Sequence, residues 1–295
     1  MSKDKMNQLS RIVDTVNEHA VFEEVKCIFI QNYPAEEFVI IRKVFKDLLN
    51  LYNGLYPGYG RCNTPYHDIN HVVNTLLAFF RLVDGYNLQY EILPVEKVRT
   101  GMIAALFHDC GYIPKKGEDM DSGAKFIQNH EKRSIEFLND YMQQMALENN
   151  IAVSAGKMIA CTDINCNVSE IKFEDPDEMT LGFMLGTADL IGQMSSRTYL
   201  ESLLLLYKEF VEAGVSMYSS EADLLTKTEA FYKNVVRNRL EKMFESKFCL
   251  AQIHFKERYH IDKDLYIEAI ERQIKYVRDT IKRSPELFLN KLRRK

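Results

Sequence analysis

Apolar residues along this 295-residue chain recur three and four positions apart, and no stretch keeps the two-residue alternation of a half-buried strand. Residues 38–52 set Ile41, Val44, Phe45, Leu48, Leu49 and Tyr52 on one helical face. Residues 55–65 are rich in Gly, Pro and Tyr and read as an irregular loop. A helix is predicted from Tyr66-His67, carrying Val72, Val73, Leu76, Leu77, Phe80 and Val83 inward and stopping at Asp84-Gly85. The next runs from about Val95 to Cys110 and is ended by Gly111 and Pro114. Further helices are predicted over residues 124–145, 151–164, 178–192, 199–213, 221–244, 248–259 and 263–282. The expectation is an all-α fold, a single domain over residues 36–295 with its C-terminal helices packed on it. An N-terminal helical extension over residues 1–35 precedes it, with a looser helix over residues 1–25.

Composition narrows the class. With 46% apolar and 27% charged residues, the chain can bury a sizeable core without disulfides. A formal charge of -4 gives no basic field to recruit a nucleic-acid duplex, and the terminal Lys291, Arg293, Arg294 and Lys295 read as a solvated helix end. The six cysteines show no CxxC spacing, which suits reduced thiols. No apolar run approaches the roughly 20 residues that span a bilayer, and the first 17 residues are polar rather than signal-like. The expected location is cytoplasmic, with no membrane partner.

The histidines are unevenly placed. His67 and His71 lie four apart on a predicted helix, which would put both rings on one face. His108-Asp109 closes an apolar helix just before the breaker Cys110-Gly111, so both side chains can turn toward one ion. An imidazole and a carboxylate suit Mn, Fe or Zn, and the carboxylate alone can reach Mg. Taken alone, the pair is equally a buried His satisfied by its neighbour. Asp189 sits in the apolar stretch 181–191, where an ionised carboxylate needs a cation, a hydrogen-bonding partner or an edge position.

The order H…HD…D, each on a helix, resembles the HD-domain superfamily of metal-dependent phosphohydrolases. Tyr66-His-Asp-Ile-Asn-His71 resembles the YHxxxH opening of the cyclic-nucleotide phosphodiesterase branch, and Thr187-Ala-Asp-Leu190 its final metal aspartate. Ala104-Ala-Leu-Phe-His-Asp-Cys-Gly-Tyr-Ile-Pro114 is similar to the HD element of bacterial HD phosphohydrolases, and Asn129-His-Glu-Lys-Arg-Ser134 to the acidic segment after it. Ala160-Cys-Thr-Asp163 is similar to the phosphodiesterase ATD segment. The resemblance covers roughly residues 60–275. It implies a helical phosphodiesterase-like bundle with His71, His108, Asp109 and Asp189 on a first divalent ion. Asp109 would bridge to a second ion and take part in catalysis, and His67 would protonate the leaving alkoxide. The implied cofactors are one or two ions of Mn, Fe, Zn or Mg, and the implied partner is a small phosphoester, a nucleotide above all. Cyclic diester and phosphomonoester remain open.

Several residues are secondary candidates. Asp163 or Glu131 is placed to orient His67 or a metal-bound water, and His130 to join a second ion unless it is a surface histidine beside Glu131. Arg61, and one of Lys132 and Arg133, is placed to meet a phosphate. Gln252-Ile-His-Phe255 has the Gln-x-x-Phe form of a nucleotide clamp, against which stands a helix surface with one core Phe. The chain also departs from the phosphodiesterase pattern: Asp68 follows the first His where Asn is usual, and Gly111–Pro114 lacks a further His. A second GYP motif is absent, and only His130 lies between HD and the last Asp, against a four-histidine oxygenase site. The competing reading is a non-catalytic HD domain that binds a nucleotide or a partner and signals. The helices after Tyr199 are expected either to cover the site or to form a homodimer interface.

Overall fold

The computed structural model describes residues 8–118, 121–145 and 149–281. Among these the fold is all-α, with eleven α-helices, short 3-10 turns and no strand. Helix α1 spans Glu18–Phe29, α2 Val39–Tyr52, α3 Ile69–Gln89, α4 Val95–Phe107, α5 His130–Gln144 and α6 Asn149–Ala160. Then follow α7 (Pro176–Met194), α8 (Tyr199–Glu212), α9 (Glu221–Phe231), α10 (Leu250–Tyr259) and α11 (Leu265–Tyr276). No helix among the described residues is long and apolar enough to cross a membrane.

Helix α3 is the axis. Fourteen of its 21 residues are buried, so it has no solvent face, and α1, α4, α7 and α10 pack around it. One apolar core runs from Val21 in α1 to Ile281. The extension expected to be loose is therefore a packed helix at residues 18–29, with Val21, Val25 and Phe29 fully buried; residues 1–7 lie outside the described part.

Two departures from the predicted elements have physical causes. Helix α3 does not stop at Asp84-Gly85 but continues to Gln89. Asp84 is fully buried because its carboxylate accepts from His254 Nδ1 (2.6 Å), Arg258 Nη2 (2.7 Å) and Asn32 Nδ2 (2.7 Å). Gly85 lets α10 approach, since a Cβ there would lie 2.0 Å from the Leu250 carbonyl oxygen. Turn-formers on paper are here the contact points of two helices. The second departure follows α9, where the chain stays helical but winds as π-helix over Tyr232–Val236 and Arg239–Met243.

Gly85→Ala should push α10 off α3 and cost about 1–3 kcal/mol, read as a lowered urea midpoint at unchanged slope. Burial opposes ionisation of Asp84, but the hydrogen bonds from His254 and Arg258 outweigh it and hold its pKa at about 2, against 3.8 for the free side chain. The unfolded chain therefore binds the proton first, so this ion pair stabilises the fold above pH 4 and the gain is lost as pH falls from about 4 to 2. That limb amounts to about 2 kcal/mol, and acid titration of stability should show it missing in Asp84→Asn.

Candidate metal centre

Three helices bring four candidate ligand side chains together. His71 comes from the first turn of α3, His108 and Asp109 from the end of α4, and Asp189 from α7. His71 Nε2 lies 3.0 Å from Asp109 Oδ2, 3.2 Å from Asp189 Oδ1 and 3.2 Å from His108 Nε2. His108 Nε2 lies 3.3 Å from Asp109 Oδ2 and 3.5 Å from Asp189 Oδ1. Ligands held about 2.1 Å from one ion stand about 3.0 Å apart at cis octahedral positions and about 3.4 Å apart in a tetrahedron. Four of these five separations fall in that range, with His108–Asp189 just beyond it, and the buried His71–His108–Asp109 group could hold a metal ion.

The local sequence explains the aim of each group. Asp68 caps α3, accepting the His71 N–H at 2.9 Å, so the acidic residue at that position fixes the first ligand's turn. His108 donates from Nδ1 to the Ala105 carbonyl (2.8 Å), which leaves the Nε2 lone pair facing the cluster. Gly111 has no Cβ to strike His130 O, which would be 1.9 Å away, so the turn carrying Asp109 seats directly against α5. Arg133 locks that turn from α5, donating to Gly111 O (2.8 Å), Ile113 O (3.3 Å) and both Glu118 oxygens. It is a loop clamp rather than a phosphate ligand.

Electrostatics point the same way. Two carboxylates that both face the same pair of imidazoles favour positive charge between them. Burial opposes protonation of His71, yet the Asp109 and Asp189 carboxylates outweigh it and push its pKa up to about 9. Asp109 and Asp189 are held well below the usual carboxylate range by His108 and His71, against the opposing effect of burial. Even so, Asp109 Oδ2 is buried without a hydrogen-bond partner. A divalent ion fits this donor set and supplies the missing charge, and two imidazoles with two carboxylates suit Mn, Fe or Zn.

A second group adjoins the first. His130 Nε2 lies 3.6 Å from Asp109 Oδ1 and 3.2 Å from Glu131 Oε1, while its Nδ1 faces the Ile127 carbonyl at 3.0 Å. Burial pushes His130 down to about 4 and Glu131 up to about 7. His130 is thus a half-buried neutral ring on the other side of Asp109, not a surface histidine. Its place depends on a break in the helix predicted over residues 124–145: Asn129 adopts φ -147 ψ 14, and α5 begins at His130.

His67 is not helical. Asp68 is extended, α3 starts at Ile69, and His67 sits in the loop before the cap, so the predicted four-residue spacing on one helix face does not describe it. It still reaches the cluster, with its ring 6.0 Å from that of His71. Tyr112 lies between His67 and His130 in a stack with centroid distances of 4.1 and 4.3 Å. Glu209 of α8, only 1% exposed, accepts the Tyr66 N–H and faces His67 Nδ1, both at 2.7 Å. Glu209, Tyr112 and Gln193, whose amide abuts His71 Nδ1 at 3.5 Å, were not singled out from sequence. Only Glu209 had a usable signal, as an acid next to the apolar run 203–207.

The remaining candidates disperse. Asp163 accepts the Asn165 N–H at 2.7 Å, and its charge helps raise Glu131, so it borders the second group. Arg61 is exposed beside the loop. Phe255 is fully buried under Arg81, and Gln252 bonds Asp262 at 3.0 Å on the surface. Both belong to α10, which meets α3 around Arg81–Gly85, about 15–20 Å along the helix from His71. They form no clamp at this site.

The Npun_R2479-like family model matches residues 56–251, and the chain belongs to that family. The matched span contains every ligand residue together with His67, His130 and Glu209, and stops short of Gln252. Comparison with curated proteins and with solved structures gave no match.

Titration of metal-stripped protein with Mn or Zn should give saturable binding and a rise in melting temperature that falls with pH as protons compete for the ligands. His71→Ala or Asp109→Ala should abolish the rise, while Gln252→Ala should leave it intact.

Proposed function

We propose that this chain is a metal-dependent phosphohydrolase of the HD type, acting on a small phosphoester, with nucleotides as the first class to test. One observation carries the reading: an unsatisfied, ion-sized cluster of two imidazoles and two carboxylates lies beside a histidine that a buried glutamate orients. His71, His108, Asp109 and Asp189 would hold a divalent ion, which would supply Lewis acidity and acidify water toward neutral pH.

The chain's own groups then divide the work. Glu209 accepts from His67 Nδ1, so Nε2 is the ring atom left to carry a proton to a leaving oxygen. Tyr112 fixes the plane of the His67 ring by stacking on it. Asp109 directs Oδ2 toward His71 and His108 and Oδ1 toward His130, so His130 and Glu131 are the residues that would help hold a second ion. Burial of the cluster strengthens each of these interactions by excluding water.

Mn-reconstituted protein should hydrolyse one class within a panel of cyclic nucleotides, nucleoside mono- and triphosphates and dinucleotides, and chelator should block it. Asp189→Ala should leave no detectable turnover. His67→Ala should lower kcat about 10²–10⁴-fold with metal content unchanged, and Glu209→Gln about 10–100-fold. Silence across the panel with metal bound would instead support a binding or signalling domain.

A further inference from the structure

A cavity of about 680 Å³ is lined by none of the four candidate ligands. It opens about one turn away on the same helices, with Asn74 of α3 one turn past His71 and Gly192 of α7 three residues past Asp189. Its volume is that of a small-molecule site. Its lining is unusual in charge: Arg11, Arg81, Arg197 and Arg272 face Glu201 as the one acidic lining residue.

Arg81 forms part of the wall and is 1% exposed. Its Nη1 donates to Tyr266 Oη at 3.1 Å, while Nε and Nη2 are buried without hydrogen-bond partners. The nearest carboxylate, Glu24, stands 3.9 Å away. The charge is thus only partly offset, and its field falls in a low-dielectric recess. Arg11 and Arg197 make no ion pair among the described residues, and Arg272 has only a loose contact with Glu268 at 3.6 Å. Gln273 Nε2 donates to the Met194 and Ser196 carbonyls at 2.8 and 2.7 Å, which fixes that side chain in the cavity wall. Leu9, Leu77 and Leu200 give the cavity an apolar side.

We infer that this cavity is a second ligand site, separate from the metal cluster, for a phosphate-bearing small molecule whose anionic group meets the arginines and whose body packs on the leucines. Planar guanidinium groups pair bidentately with phosphate oxygens, and several converging on one recess suit a multiply charged group better than a single carboxylate.

The full-length protein, held in chelator so that no ion can capture phosphate at the cluster, is titrated with inorganic pyrophosphate and with AMP by calorimetry. Saturable binding of at least one probe is expected. Each of the exposed-arginine variants Arg197→Glu and Arg272→Glu should weaken it about 10-fold or more while melting like the parent. Lys46→Glu, the same charge change on α2, should not. No binding of either probe, binding unaltered in both arginine variants, or an equal loss in Lys46→Glu would overturn the inference.

Discussion

Two imidazoles with Nε2 atoms 3.2 Å apart, each 3.0–3.5 Å from the carboxylates of Asp109 and Asp189 in a largely buried pocket, impose the constraint on which this molecule is organised. Such a group is stable only with a cation among its members, whether a proton or a metal ion. Holding it costs desolvation, and the cost is borne by surrounding apolar packing: α3 and α7 are buried around most of their circumference, and α4 ends in the cluster. The helices that supply the ligands are thus the ones the core grips most tightly.

Around that centre, rigidity is layered. Asp68 fixes the turn that bears His71, the Ala105 carbonyl fixes the tautomer of His108, and Arg133 fixes the turn that bears Asp109. The Asp84–His254–Arg258 network pins the far end of α3 to α10. None of these residues needs to touch a substrate, yet each limits how far a ligand atom can drift, and errors of about 1 Å matter for positioned chemistry.

Helical class was legible in the sequence, because three-and-four periodicity survives in amphipathic stretches, and so were the residues that gather as a candidate site, because His108-Asp109 and Asp189 are polar intrusions into apolar runs. What escaped was long-range or depended on local winding. Glu209 is 142 residues from His67 and resembles any acid on an amphipathic helix until α8 folds over the loop. The loop position of His67 turned on whether Asp68 capped the helix or lay inside it. Asp84-Gly85 carried a stop signal that packing against α10 overrode. The Gln252-Phe255 pattern had the spacing of a clamp without its location, since spacing along one helix says nothing about which end of the neighbouring helix it meets.

The ligands come from α3, α4 and α7, whereas the group that aligns His67 comes from α8. On the proposed reading, ion capture and proton delivery would therefore rest on different parts of the scaffold and could be inherited separately. On that reading, a descendant that loosened α8 would keep the candidate ion site with no aligned acid beside it, a step from catalyst to receptor that requires no change among the candidate ligands.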